Sequence, residues 1–286
     1  MAAMHKVVVT GAAGLLGRHV AAAYRAAGFA VTALDLADGG LPDIRTADLT
    51  DAESAAAFIR DADCVAHIAA IPRPVGYPEE EVFQTNMTIM FNVLSAAEKA
   101  GIKRLLYASS FSVLGLPFAP RPVALDYLPI DEEHRARPQD VYALTKWLGE
   151  EMIDAWVRRS GGSAVSLRMP WIQTPESFAL DVMKRRETAE AHLDLWAYID
   201  VRDAARAFVL ATEAETTGHE RLFISAADSY SETPTEKLVA EHYGNVELRE
   251  PLDDHCSLFS TIRAEDMIDF VPQFSWRNYP AVTVRG

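Results

Sequence analysis

Lys6-Val7-Val8-Val9-Thr10-Gly11-Ala12-Ala13-Gly14-Leu15-Leu16-Gly17 is the stretch whose reading decides the fold. Its opening residues are a short β-branched run, the type that forms a strand buried on both faces. Glycines then fall at 11, 14 and 17, and residues 18–27 are alanine-rich and helical, with Gly28 as a C-cap candidate. Residues 29–34 read as the next strand and lead into Asp35. Strand, glycine turn, helix, strand and acid in this order are the context of a dinucleotide site. Glycines let the backbone approach a pyrophosphate, and a helix N-terminus supplies amide donors and a favourable dipole. The spacing is GxxGxxG rather than GxGxxG, and a turn serving only tight packing of helix on strand is the other reading. Gly11, Ala13, Gly14, Leu15, Leu16 and Gly17 are the predicted cofactor contacts, with Asp35 and Leu36 at the end of the second strand. A carboxylate there accepts hydrogen bonds from ribose hydroxyls and repels a 2′-phosphate. No Arg or Lys directly follows Asp35, so NAD is expected rather than NADP.

The composition of the 286 residues bounds the rest. Hydrophobic residues make up 49%, enough for a full core, and the formal net charge is −14. That acidity argues against nucleic acid or an anionic membrane as the main partner and reads as solubility. Two cysteines, Cys64 and Cys256, form no metal spacing and no disulfide framework, so no metal is expected. The chain enters a strand almost at once, without a signal-like apolar region, and carries no run long enough for a membrane span. A cytoplasmic setting is the expectation.

Onward from Asp35, Asp48 and Leu49 precede a helix over 51–60 capped by Thr50 or Asp51, and are read as flanking the adenine. Residues 62–70 carry a strand into the proline-rich loop 71–78, at the end of the sheet where open α/β folds bind ligands. Arg73 is the charge in that loop, either solvated or facing a substrate. A long helix over 79–100 contains Asn86, and the strand after it ends in Ser109-Ser110. Tyr142 and Lys146 then stand at i and i+4 on a helix spanning 141–157. A cation beside a phenol favours the phenolate, so the tyrosine pKa is expected to fall from about 10 towards the range of a general acid/base.

These pieces resemble, in order, the extended short-chain dehydrogenases/reductases, the NAD-dependent epimerase/dehydratase group. The loop from Val9 to Gly17 is similar to the family's TGxxGxxG, and His67-Ile68-Ala69-Ala70 to its HxAA. Asn86 opens a segment similar to NxxGT, with Ile89 and Met90 replacing Gly and Thr. Ser109 to Gly115 resembles SSxxVYG with Leu114 in place of Tyr, and Tyr142 to Lys146 matches YxxxK, with Glu150 following. The resemblance implies that Tyr142 exchanges a proton with the substrate oxygen. It implies that Lys146 lowers the tyrosine pKa and binds the nicotinamide ribose, and that Ser110 donates to the same substrate oxygen. It places Ile68, Ala69 and Ala70 beside the cofactor. Asn86 either supports the lysine or a relay water, or simply bonds a neighbouring loop.

The implied fold is a Rossmann-type doubly wound parallel sheet with a small C-terminal substrate-binding lobe. The expected division is a core over 1–170 and 195–226, and a lobe over 171–194 and 227–286. Substrate candidates are Arg73, Ser110, Phe111, Ser112, Trp171 and Gln173, with packing an equal reading for Trp171. Residues 177–190 read as an amphipathic helix on which Lys184-Arg185-Arg186 form a solvated face, and 195–199 as a strand. Thr233 to Glu236 have capping-box spacing, and residues 282–286 are expected to fray. The leading function is NAD-dependent oxidation of a sugar-like lactol or secondary alcohol. A nucleotide-sugar epimerase with tightly bound NAD and a non-catalytic dinucleotide sensor are the alternatives. Phe111 and Ser112 stand where a dehydratase carries an acid pair. Broad apolar faces on 79–100 and 141–157 suggest a homodimer.

Overall fold

The computed structural model describes residues 6–279; the expected frayed end at 282–286 lies outside them. A seven-stranded sheet, parallel throughout, organises the chain. Its strands are β1 (Lys6–Thr10), β2 (Ala30–Asp35), β3 (Ile44–Thr46), β4 (Cys64–His67), β5 (Arg104–Ser110), β6 (Ser163–Met169) and β7 (His219–Phe223). The spatial order is β7-β6-β5-β4-β1-β2-β3. The chain therefore winds outward in one direction to β3, returns to the far side of β1 at β4, and winds outward again. The crevice at that reversal, at the carboxyl ends of β1 and β4, is where such sheets bind ligands.

The strands are continuous apolar runs because both faces are covered. Helices α1 (Leu15–Ala26), α5 (Val201–Glu213) and α6 (Ile262–Ile268) pack one face, with Val20, Tyr24, Phe208 and Ile268 buried against it. Helices α2 (Ala52–Ile59), α3 (Glu79–Lys99) and α4 (Val141–Ser160) cover the other, burying Ile59, Val93, Ile153 and Trp156. Local chemistry sets their ends. Asp51 accepts the Glu53 amide, Asp140 the Ala143 amide and Asp200 the Arg202 amide, satisfying first-turn donors.

A second apolar cluster lies beyond the carboxyl edge of the sheet. It joins Phe111, Leu114, Leu128 and Ile130 from the loop 111–139 to Phe178, Trp196, Tyr198, Tyr230 and Phe259. The loop 111–139 is thus pinned by apolar contacts. Short parallel pairings, Tyr127–Leu128 with Glu247–Leu248 and Trp171–Gln173 with Tyr198–Asp200, tie it and the C-terminal segments together.

Four local expectations fail. Residues 177–190 are not one helix: a capped turn at Pro175–Ser177 runs into a π-turn at Phe178–Val182 and a single α-turn at Met183–Arg186. Nor do its arginines form a solvated face. Arg186 stands 4.3 Å over the Trp276 ring and Arg185 binds Asp194, because the chain after 190 folds back beneath them. The capping box at 233–236 does not form: the Thr235 amide donates to Asp254 O and its hydroxyl to Cys256 O, so a neighbouring segment supplies the acceptors. The strand expected at 195–199 begins only at Tyr198, after Leu195 and Trp196 turn with φ of 56° and 50°.

Candidate active site

The β1–α1 loop is built by close backbone approach. Gly11 has φ +70°, and a Cβ on it would stand 2.7 Å from the Ala69 amide nitrogen. A Cβ on Gly17 would stand 2.0 Å from Gly11 O. Only glycine lets the helix, the turn and the β4 loop meet this way. Thr10 fixes the same meeting point. Its hydroxyl accepts the amides of Ile68 and Ala69 at 3.0 and 3.1 Å, so it must donate to His67 Nδ1, 2.9 Å away. This capture ends β4 at His67, short of the strand expected to Ala70, and turns residues 68–70 towards the crevice. Burial keeps His67 neutral, its pKa pushed down to about 3 with Lys146 adding to the shift.

A cavity of about 1230 Å³ runs along this edge. Gly11, Ala13, Gly14, Leu15, Leu16, Gly17, Asp35, Leu36, Asp48, Leu49, Ile68, Ala69 and Ala70 line it, as the sequence predicts for a cofactor site. Helix α1 starts there on Gly14 with no side-chain cap and no acid in its first turn, so its end presents backbone amides and positive dipole. Asp35 is held at the strand end by the amides of Ala13 and Leu36, at 2.8 and 2.7 Å. Asp48 accepts the Thr50 amide and hydroxyl, a local turn that lowers its pKa. An amide-lined glycine turn, a helix end without a capping acid and an anchored carboxylate fit a dinucleotide with free ribose hydroxyls.

Further along, Tyr142, Lys146 and Ser110 line the same cavity. Asp140 starts α4 so that Tyr142 and Lys146 fall on one face, and β5 delivers Ser110 at its carboxyl end. The Ser110 side chain lies close enough to the Tyr142 phenol to lower its pKa, and its Oγ accepts the Ser112 amide at 3.1 Å. Lys146 donates to Ala108 O at 2.6 Å, and its Nζ is 5.7 Å from the Tyr142 ring centroid and 4.9 Å from that of Tyr107. The expected fall in the tyrosine pKa is not found. Desolvation pushes the phenol up to about 12 against the lowering influence of Ser110, and the ammonium is turned to a backbone carbonyl instead. Burial pushes Lys146 down to about 7, while the Glu150 carboxylate works the other way.

Burying that ammonium has a measurable cost. In the unfolded chain lysine titrates near 10.4, so between about pH 7 and 10 the unfolded state binds the extra proton and stability rises with pH. Lys146→Met should therefore raise the melting temperature, on the order of a few degrees at neutral pH. The gain should be largest below pH 7 and shrink towards pH 10; thermal melts of both proteins across that range check it.

The remaining candidates divide. Arg73, Phe111, Ser112 and Trp171 line the cavity. Ser112 is fully buried, and its Oγ has no hydrogen-bond partner among the described residues. Gln173 does not reach the cavity: it is 1% exposed and its Oε1 accepts the Ser177 hydroxyl, so it holds the turn after β6. Asn86 is also set back. It brackets Ile71 through both its amide and its carbonyl and donates to Thr145 Oγ1, tying the β4 loop to α4 between Tyr142 and Lys146. Sequence reasoning missed Phe118, Arg185, Glu190 and Asp194, which also line the cavity. No group of His, Cys, Asp and Glu side chains able to hold a metal exists among the described residues.

A profile of the NAD dependent epimerase/dehydratase family matches residues 7–224, and the chain belongs to that family. A uronate dehydrogenase of Pseudomonas syringae pv. tomato is 28% identical over 170 residues, 58% of this chain and 58% of the relative. The chain thus spans less than two thirds of that relative's length. An L-arabinose 1-dehydrogenase (NAD(P)(+)) of Haloferax volcanii is 28% identical over 198 residues, 68% of this chain and 77% of the relative. Among solved structures, a short-chain dehydrogenase/reductase superfamily protein from Agrobacterium tumefaciens with bound NAD superposes with a TM-score of 0.74. It is 22% identical and the match covers 96% of this chain and 94% of that one. A UDP-galactose 4-epimerase gives a TM-score of 0.70 at 24% identity, covering 94% of each chain. At these identities the structures share the fold.

Proposed function

We propose that the protein is an NAD-dependent dehydrogenase that oxidises a lactol or secondary alcohol of a sugar-like substrate. The observation that carries this reading is one continuous cavity joining the glycine loop to Tyr142, Ser110 and Lys146. Gly11 to Gly17 and Asp35 would hold the dinucleotide, and Lys146, with two ammonium hydrogens beyond its bond to Ala108 O, would hold the nicotinamide ribose. The bound nicotinamide supplies hydride chemistry. Ser110 orients the substrate oxygen against Tyr142, and Tyr142 moves the proton at that oxygen. Held protonated, Tyr142 is ready to act as the acid in carbonyl reduction, and must be deprotonated before it takes the alcohol's proton. Asp35 without an adjacent cation favours NAD over NADP. Absorbance of the reduced cofactor, on incubation with NAD or NADP and a panel of aldoses, uronates and alcohols, tests the reading. NADH formation supports it; NADPH formation in preference sinks the Asp35 assignment.

The reading extends to assembly and setting. Phe83 and Phe91 on α3 are 39% and 62% exposed, which supports pairing of α3 and α4 with a second copy as a homodimer. Light scattering should give twice the chain mass; a monomeric mass overturns the pairing. No helix of the described residues is long and apolar enough to cross a membrane. Two free cysteines, Cys64 buried in β4, suit a reducing cytoplasm.

A further inference from the structure

The cavity lining also carries a charged cluster that the hydride and proton chemistry leaves unused. Arg185 Nε donates to Asp194 Oδ2 at 3.1 Å and its Nη2 to Glu190 O at 2.7 Å. Its Nη1 stands 3.7 Å from Glu190 Oε2, beyond hydrogen-bond length. Asp194 is nearly buried and fixed from the other side, its Oδ1 accepting the Tyr230 hydroxyl at 2.5 Å and the Trp196 amide at 3.2 Å. The turn that sets this arrangement is strained, with Leu195 and Trp196 both left-handed and both buried. Arg185, Glu190 and Asp194 line the cavity that holds Tyr142 and Ser110, together with Ser112, whose buried hydroxyl lacks a partner among the described residues.

One guanidinium faces two carboxylates, so its charge is already balanced and the cluster has no surplus positive charge for an incoming anion. A hydroxyl suits it better, because a hydroxyl can accept from Arg185 Nη1 and donate to Glu190 or Asp194 at once. Trp171 and Phe118, 37% and 39% exposed and lining the same cavity, give an apolar wall for the C–H face of a ring. Arg73, the other cation of the lining outside the catalytic group, lies in an exposed loop where solvent screens it.

Resting on the dehydrogenase reading above, we propose that Arg185, Asp194 and Glu190 hold the substrate's hydroxyls away from the reacting carbon. The cluster thereby selects a neutral aldose over its uronate, since a carboxylate placed there meets two like charges.

Calorimetry on NADH-loaded protein tests this, with galactose and galacturonate as matched probes. Galactose should bind at least about tenfold more tightly than galacturonate. Glu190→Gln, at a side chain 63% exposed and so tolerant of change, should narrow that ratio by about tenfold. Arg185→Ala should weaken galactose by about tenfold or more while NADH fluorescence still reports cofactor binding. Tighter binding of galacturonate, an unchanged ratio in Glu190→Gln, or binding of neither sugar would overturn the proposal. Galactose that binds as expected without NAD-dependent oxidation supports the specificity cluster and overturns the dehydrogenase reading, so the two fail separately.

Discussion

Tyr142→Phe should lower kcat by roughly a thousandfold while leaving NAD affinity within about threefold of the parent. The substitution removes one oxygen and keeps the ring that faces the Lys146 ammonium. Tyr142 lies on the first turn of α4, where Asp140 caps the helix through the Ala143 amide, so the backbone that presents the ring does not depend on the phenol. In the proposed mechanism that oxygen carries the proton between the substrate and the protein, and Ser110 beside it cannot replace it as a base at neutral pH. Positioned acid/base groups contribute about 10²–10⁴-fold, and residual turnover would come from cofactor and substrate alignment alone. The proposed dinucleotide seat is the glycine loop and Asp35, which come from other elements than the one that carries the phenol. Steady-state kinetics with NAD titrations would separate the two effects. Near-normal turnover would remove Tyr142 from the mechanism.

Glu150→Ala should cost about 3–5 kcal/mol of stability, a larger loss than any surface ion pair of this chain would give. Glu150 lies one turn beyond Lys146 on α4 and is fully buried. It accepts the Ser109 hydroxyl at 2.6 Å, Arg168 Nε and Nη2 at 3.0 and 2.7 Å, and Arg221 Nε at 3.1 Å. One carboxylate therefore fastens α4 to β5, β6 and β7. Burial alone would raise its pKa, but Arg168, Ser109 and Arg221 outweigh that and hold it low. Removing it strands the Arg168 guanidinium, whose side chain is only 5% exposed, without its counter-charge. Desolvating an unpaired ion is the expensive event, more than losing the attraction itself. Denaturant unfolding at neutral pH would read the loss. A change below about 1 kcal/mol would mean that solvent or another acid reaches Arg168.

The glycine loop, the strand and helix order and the Tyr142–Lys146 face were legible because each is written in local spacing. Buried parallel strands leave uninterrupted apolar runs, and GxxGxxG records backbone contacts, at Gly11 and Gly17, that no larger residue allows. Misreadings fell where a side chain's partner, near or distant in sequence, decides its direction. Arg185 and Arg186 look solvated in a basic run, yet Asp194 and Trp276 turn them inward. Gln173 follows a sheet strand on the ligand side, but Ser177 draws its side chain into a turn. The tyrosine pKa followed the charge of Lys146 but not its direction, which Ala108 O sets. The Glu150 network joins four elements separated in sequence, and no local pattern announces it. Asn86, read as either a helper of catalysis or a loop anchor, makes the bonds of a loop anchor to Ile71 and Thr145.

Net NADH production is the measurement closest to the central claim. Protein freed of endogenous nucleotide, mixed with NAD and an aldose, should generate NADH in proportion to sugar consumed, and Tyr142→Phe should not. Consumption of the sugar with no net NADH, by protein that retains NAD through purification, would contradict the claim and assign the cavity to epimerisation.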